Sequence, residues 1–203
     1  MFGIYYERKI TLELWQLYDS VGNKTGKIIE ANSEIPEGLY HKTDSVWIKN
    51  KKEQYLMSKR SPEKQYAYCW ECTGGSVQAG ENTWEAACRE AYEELGIDIS
   101  SLTGKKLISK KRKEQKDFYD VWIVYGEFGL HELSPNTTEV IDVKWMDMKE
   151  ILLLNQYGYL HPLLDYVDIN FFKEEIKYEK KGFVSNSDRS YGSRSCRYSN
   201  RTR

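Results

Sequence analysis

The feature that most constrains this chain is a 23-residue segment in which glycines and charged residues recur at fixed intervals. The segment GSVQAGENTWEAACREAYEELGI runs from Gly75 to Ile97. It fits the pattern G, five residues, E, seven residues, RE, two residues, EE, one residue, G and an aliphatic residue. All seven fixed positions match, and a chance match somewhere in the chain has a probability on the order of one in 10⁵. The spacing therefore predicts a functional element.

The same segment predicts a helix from about Thr83 to Leu95. Asn82 is typical of a helix N-cap, Glu85 completes a capping box, and Gly96 is typical of the residue that ends a helix. Apolar side chains recur at intervals of three and four residues, which predicts one face packed on a sheet: Trp84, Ala87, Cys88, Ala91 and Leu95. Cys88 is accordingly expected in the core rather than as a nucleophile.

Three glutamates crowd one patch of this helix. At 100° per residue, Glu90, Glu93 and Glu94 fall within about 100° of arc. Carboxylates this close repel each other, whereas a hard divalent cation binds and neutralises them. Mg²⁺ also keeps open positions for substrate phosphates, so the patch predicts a metal site that holds a diphosphate, with the Gly75 carbonyl as a further ligand. Three glutamates alone would indicate a solvated helix face, but the complete spacing favours the metal site.

One arginine lies among these glutamates. On its own, Arg89 would be interpreted as a surface residue. Its place beside the cluster indicates that it holds Glu81 or a neighbouring glutamate in position through charge-assisted hydrogen bonds. We therefore expect Arg89 to support the site rather than to bind the metal.

The seven fixed residues resemble the Nudix box of the Nudix hydrolases: Gly75, Glu81, Arg89, Glu90, Glu93, Glu94 and Gly96. The resemblance implies an α/β fold, an α/β/α sandwich with a mixed β-sheet and a catalytic loop-helix-loop. It also implies hydrolysis of a diphosphate linked to another moiety, X, which is often a nucleoside. Mg²⁺, or alternatively Mn²⁺, is the implied cofactor, and a small organic diphosphate is the implied substrate.

The resemblance also implies roles for individual residues. The implied metal ligands are Glu90, Glu93, Glu94 and the carbonyl of Gly75, and one of these glutamates is able to act as a base. Arg89 with Glu81 is implied to stabilise the loop and the helix. Family members commonly add a glutamate outside the box. Glu139 in TTEVIDVKWMD is our candidate for it, with Glu127 and Glu132 as competitors.

Two other functions compete with hydrolysis. The stretches LYDSVGNKTGK, IPEGLYH and WECTGGSV resemble a bacterial Nudix subgroup related to isopentenyl-diphosphate isomerase. However, Gly74 and Ser76 stand where that enzyme has its cysteine and a neighbouring histidine, which disfavours isomerisation. The second alternative is a sensor that binds a nucleotide without turnover, and the intact set of carboxylates disfavours it.

The sequence does not identify the group X, because six aromatic residues suit several roles. They could stack on a base, line a prenyl pocket or fill the core: Tyr40, Trp47, Tyr66, Tyr68, Trp70 and Trp122.

The overall composition excludes several classes of protein. The net charge of -1 gives no global field toward nucleic acid or anionic lipid. Purely apolar stretches reach only four or five residues, where a membrane-spanning helix needs about 20. The amino terminus lacks the features of a signal peptide, and the few scattered cysteines favour a reducing, cytoplasmic location. A homodimer stays an alternative to a monomer.

The cysteines and histidines do not form a zinc signature. Cys69 and Cys72 make one CxxC pair, while His41, His131 and His161 show no ligand spacing. In the strand-like run AYCWEC the two cysteines are expected on opposite faces.

The chain is predicted to contain one domain, 1–184, that begins with a hairpin around the turn 19–26. A second hairpin joins 45–50 to 54–60, further strands lie at about 106–109, 118–128 and 140–145, and helices at 149–154 and about 163–177. Residues 185–203 hold five arginines and no lysine. This stretch is predicted to be a disordered tail, whose only nucleic-acid role would be weak contacts.

Overall fold

The computed structural model describes residues 12–168 and 170–172. Backbone contacts divide the chain into two units, 1–166 and 167–203. All the helices and strands below belong to the first unit. In the second, the Asp168 carboxylate accepts hydrogen bonds from the backbone N–H groups of Asn170 and Phe171, at 2.7 and 2.9 Å. The expected boundary at residues 184 and 185 and the arginine-rich tail lie outside the described residues.

The first hairpin is confirmed. Strands β1 (Leu14–Tyr18) and β2 (Lys24–Glu30) pair antiparallel as a separate two-stranded sheet. The Asp19 carboxylate accepts hydrogen bonds from the backbone N–H groups of Val21 and Asn23, both at 2.9 Å. Gly22 between them has a φ of 90°, which favours glycine. Turn chemistry therefore fixes this connection.

A six-stranded mixed sheet forms the centre of the first unit. Its strands are β3 (His41–Lys49), β4 (Tyr55–Arg60), β5 (Trp70–Glu71), β6 (Lys105–Arg112), β7 (Asp117–Tyr125) and β8 (Val140–Met146). The order is β5-β4-β3-β7-β6, and β8 also pairs with β4. Strands β3 and β7 are parallel, and the other pairs are antiparallel. The predicted α/β class with a mixed sheet is confirmed.

Helix α1 (Thr83–Leu95) has the predicted bounds. The Asn82 side chain accepts from the backbone of Glu85, whose own side chain accepts from the backbone N–H of Asn82. Gly96 ends the helix in a left-handed conformation with a φ of 72°. The second helix, α2 (Met148–Gln156), starts with a capping box at Asp147. No helix within the described residues has the length and apolar content needed to cross a membrane.

The main core lies between α1 and the sheet. The predicted helix stripe packs there, with Ala87, Ala91 and Leu95 buried and Trp84 and Cys88 partly buried. Their partners come from four strands, β3, β4, β7 and β8: Val46, Ile48, Leu56, Val124 and Val140. This packing fixes α1 against the sheet and thereby positions the loop that precedes the helix.

Two predicted elements differ from the structure. Strand β7 ends at Tyr125 rather than at residue 128, although Gly126 still donates its backbone N–H to the carbonyl of Lys49 on β3. The helix predicted over about 163–177 is wrong at its start. His161 and Pro162 begin only a single 3₁₀ turn (Pro162–Leu164), and residues 173–177 lie outside the described part.

Candidate active site

The loop before α1 pairs with β3 and approaches the helix closely. The carbonyl of Gly75 accepts a hydrogen bond from the backbone N–H of Asp44 at 2.9 Å. A Cβ at Gly75 would overlap the Glu90 carboxylate. A larger residue here would force the Glu90 side chain to move, so glycine favours this close approach. The bond from Asp44 uses one of the two lone pairs of the Gly75 carbonyl.

Arg89 joins the loop to the helix. Its Nε and Nη2 donate to the two oxygens of Glu81 at 2.8 and 3.1 Å, and Nη2 also donates to the carbonyl of Ser76 at 3.0 Å. Its Nη1 donates to Glu90 at 2.8 Å and to Glu93 at 2.9 Å. The predicted contact between Arg89 and Glu81 is present, and one guanidinium forms ion pairs with three carboxylates.

The glutamates of α1 differ in burial. The Glu90 side chain is largely buried, and burial raises its pKa to about 7 although the neighbouring Arg89 lowers it. The Glu93 side chain is 51% exposed. Glu94 has a side chain that is only 5% exposed, and burial together with the nearby Glu71 and Glu90 raises its pKa well above the ordinary value. A cation would stabilise the ionised form of all three.

Glu94 has an unsatisfied oxygen. Its Oε2 is buried and has no hydrogen-bond partner, while its Oε1 lies 3.7 Å from the Nζ of Lys64. Lys64 also forms an ion pair with Glu139 at 2.5 Å. The structure thus brings Glu139 next to Glu94 through a shared lysine.

The competitors of Glu139 have other partners. Glu127 accepts the backbone N–H of Lys51 at 2.6 Å, and Glu132 accepts that of Gly129 at 2.5 Å. Both carboxylates stabilise local turns. Of the three candidates Glu127, Glu132 and Glu139, the last contacts Lys64, which in turn lies next to Glu94 on α1.

The three glutamates proposed as metal ligands form contacts with two different basic side chains. Glu90 and Glu93 bond to Arg89, whereas Glu94 faces Lys64. Within the described residues, no group of three or more His, Cys, Asp or Glu side chains is arranged to hold a metal ion. Side-chain rotation away from these salt bridges is therefore needed before the three glutamates can share one ion.

A polar cavity of about 670 Å³ opens beside the loop. Its wall contains Gly75, Lys64 and Glu71 together with His41 and Asp117. Most of its lining side chains are polar or charged, which suits a hydrophilic ligand. Of the aromatic residues singled out in the sequence, Tyr66 lines this cavity, while Trp47 and Trp70 are buried.

Sequence reasoning missed Arg60, Lys64 and Glu71. Arg60 donates from Nη1 to both oxygens of Glu71, at 2.7 and 2.9 Å, and from Nε to the carbonyl of Gln65. Burial raises the pKa of Glu71, which lies near Glu94. These residues come from two strands and a loop, so no local spacing could have grouped them.

The thiols near the site are not activated. Cys72 is buried in the cavity wall, and Cys69 is half-buried in the loop before β5. Strand β5 is shorter than the strand expected from the sequence AYCWEC, so it contains neither cysteine. Burial raises the pKa of the Cys88 thiol to about 11 and also raises that of Cys72. A thiolate nucleophile is therefore disfavoured at both positions.

His41 predicts a pH dependence of stability. It is 6% exposed and stacks on Trp15, and burial lowers its pKa to about 4 from 6.5. Above pH 6.5 the His41 side chain is neutral in both the folded and the unfolded protein. Below pH 6.5 it binds a proton in the unfolded chain but not in the folded one. Stability from this group is therefore lost as pH falls toward 4, by about 2 kcal/mol at pH 5.

Urea unfolding of the protein and of His41→Phe at pH 7.5 and pH 5 measures this contribution. Phenylalanine keeps the stack on Trp15 but cannot bind a proton. We expect the variant to lose about 2 kcal/mol less than the unchanged protein between the two pH values. Equal losses would show that His41 titrates normally in the folded state.

Known proteins resemble this chain in sequence and in fold. The NUDIX domain model matches residues 39–166. An uncharacterised Nudix hydrolase of Listeria monocytogenes is 31% identical over 153 residues, which are 74% of this chain and 89% of that protein. An isopentenyl-diphosphate Delta-isomerase of Citrobacter koseri is 28% identical over 67% of this chain and 78% of its own length.

Solved structures share the fold. DR0079 from Deinococcus radiodurans superposes with a TM-score of 0.63 at 22% identity, covering 76% of this chain and 97% of that one. A MutT protein from Methanosarcina mazei has a TM-score of 0.53 at 22% identity, covering 67% and 95%. With the sequence match over most of the first unit, these findings show that the chain belongs to the Nudix hydrolase family.

Proposed function

We propose that the protein is a divalent-metal-dependent hydrolase that cleaves the diphosphate linkage of a small organic diphosphate, such as a nucleoside diphosphate linked to X. The observation that carries this proposal is the buried Glu94, whose Oε2 has no partner and whose Oε1 lies 3.7 Å from the Nζ of Lys64, a residue of the cavity wall. A buried carboxylate oxygen without a partner costs free energy, so the protein gains stability when a cation binds there.

The residues present fit a Mg²⁺ or Mn²⁺ ion, since the donors are hard oxygens. The ligands in this proposal are Glu90, Glu93, Glu94 and the Gly75 carbonyl. When bound, the ion supplies charge that activates water and neutralises the diphosphate. Arg89 and Glu81 keep the loop and helix in register, so that Gly75 stays beside the Glu90 carboxylate.

Basic residues of the cavity would bind the phosphates. Lys64 and Arg60 line the wall that contains Gly75. Arg60 is fixed through Nε and Nη1, which leaves its Nη2 for a phosphate oxygen. Lys64 can move from Glu139 and Glu94 to the substrate, and the freed carboxylates, Glu139 among them, can then accept the proton of the attacking water.

Isomerisation is the second candidate, because curated isomerases are among the relatives. A Cβ at Gly74, where the isomerase has its cysteine, would lie 2.6 Å from the Cα of Ser45. The loop therefore has no room for a cysteine side chain at this position without moving β3. This packing supports hydrolysis over isomerisation.

Mass spectrometry of the products formed from a panel of diphosphates tests the proposal. The panel contains nucleoside triphosphates, nucleotide sugars, dinucleoside polyphosphates, ADP-ribose and prenyl diphosphates, each with Mg²⁺, with Mn²⁺ or with EDTA. We expect cleavage of at least one class, lost in EDTA and restored by excess Mg²⁺. Cleavage that continues in EDTA would contradict the role of the metal. Tight nucleotide binding without cleavage of any compound would favour the sensor.

A further inference from the structure

His161 is a histidine of the cavity wall that lies outside the sequence motif. Its Nδ1 accepts a hydrogen bond from the backbone N–H of Leu163 at 3.1 Å. A neutral imidazole that accepts at Nδ1 carries its proton on Nε2. The structure therefore fixes the tautomer of His161 as an Nε2–H donor.

The ring stays neutral and its donor is available. His161 is 5% exposed, and burial, with help from Arg60 and Lys64, lowers its pKa to about 4. Among the described residues, Nδ1 has the Leu163 partner, whereas Nε2 has none. A donor without a partner in a polar cavity is typical of a position where a ligand supplies the acceptor.

The surroundings hold the ring in place. The Tyr66 ring packs edge-on against it, with 4.8 Å between ring centroids. The backbone N–H of His161 donates to the carbonyl of Trp70 at 2.9 Å, directly before Glu71 on β5. The imidazole is thus fixed to the strand that carries the carboxylate partner of Arg60.

Basic side chains line the cavity together with His161. Arg60, Lys64 and Arg112 all interact electrostatically with the imidazole. Cations and one neutral N–H form a set of donors suited to an anionic oxygen. The neutral donor adds a hydrogen bond without adding repulsion between positive charges.

We propose that the Nε2–H of His161 donates a hydrogen bond to a non-bridging oxygen of the substrate's diphosphate, alongside Arg60 and Lys64. The proposal deepens the function above and rests on it. His161 then has two separable tasks: Nδ1 stabilises the 3₁₀ turn, and Nε2 binds the phosphate.

Two substitutions separate these tasks. In His161→Asn the side-chain oxygen can replace Nδ1 as acceptor, but no donor reaches the position of Nε2. In His161→Gln the amide nitrogen can replace the Nε2–H, but the acceptor for Leu163 is lost. His131→Asn, in the exposed turn 130–132, is the matched control. The probe is methylenediphosphonate with Mg²⁺, measured by titration calorimetry, together with the melting temperature of each variant.

We expect His161→Asn to melt near the unchanged protein and to bind the probe about tenfold more weakly. His161→Gln is expected to bind within about threefold of the unchanged protein and to melt a few degrees lower. Binding that is unchanged in His161→Asn overturns the proposal, as does an equal loss in both variants or an unchanged protein that does not bind the probe. Because binding needs no turnover, absent hydrolysis would contradict the proposed function while this comparison still decides the role of His161.

Discussion

Glu94→Gln is expected to reduce turnover by about a thousandfold without lowering stability. The substitution removes a charge that the metal needs but keeps the size of the side chain. Because Glu94 is buried, with an Oε2 that lacks a partner, the folded protein bears a cost for this carboxylate. The neutral amide relieves part of that cost, so the melting temperature in the absence of metal should stay equal or rise.

Steady-state kinetics with the best substrate of the panel, and calorimetric melting in EDTA, measure both effects. Glu114→Gln in the exposed turn after β6 is the matched control and should leave both quantities unchanged. Glu93→Gln should lose activity as well, with a smaller change in melting because Glu93 is half exposed. A Glu94→Gln protein that keeps more than a tenth of the activity would show that Glu94 is not a ligand.

Arg89→Leu is expected to lower both stability and activity. The guanidinium bonds to Glu81, Glu90 and Glu93, so its removal leaves carboxylates close together without their cation. We expect a loss of about 2–3 kcal/mol in the free energy of unfolding, below the figure for a fully buried pair because Glu93 is half exposed. Turnover should fall about a hundredfold, because the loop that carries Gly75 loses its connection to α1.

Urea unfolding and kinetics of Arg89→Leu and Arg89→Lys test this account. Lysine keeps the charge but cannot form the forked contacts to Glu81, so it should restore part of the stability and little of the activity. If lysine restored full activity, the contribution of Arg89 would be its charge alone, and the proposed positioning role would be wrong.

The sequence predicted the geometry around α1 because that geometry is local. Loop and helix form one segment, in which helical spacing alone places Glu90, Glu93 and Glu94 on one patch. The cap at Asn82 and the stop at Gly96 fixed the bounds of the helix. The contact between Arg89 and Glu81 spans only eight residues and could be anticipated for the same reason.

The rest of the cavity could not be predicted, because it depends on strand pairing. Parallel pairing of β3 and β7 joins residues 41–49 to residues 117–125, and pairing of β4 with β8 brings the chain at Ser61 next to Glu139. Periodicity indicates strands but not their partners. Arg60 and His161 therefore gave no recognisable pattern. The helix predicted over about 163–177 was wrong at its start, where Pro162–Leu164 form a 3₁₀ turn, whereas residues 170–172 are helical and residues 173–177 lie outside the described part.

Hydrolysis of a diphosphate at the residues around α1 transfers an oxygen atom from water to one product. Mass spectrometry of products formed in H₂¹⁸O detects this transfer directly, with isopentenyl diphosphate included among the substrates. We predict that a cleaved product carries one ¹⁸O and that its formation stops in the Glu94→Gln protein. Conversion of isopentenyl diphosphate to an isomer of unchanged mass, without incorporation of ¹⁸O into any product, would contradict the account and assign the protein to the isomerases.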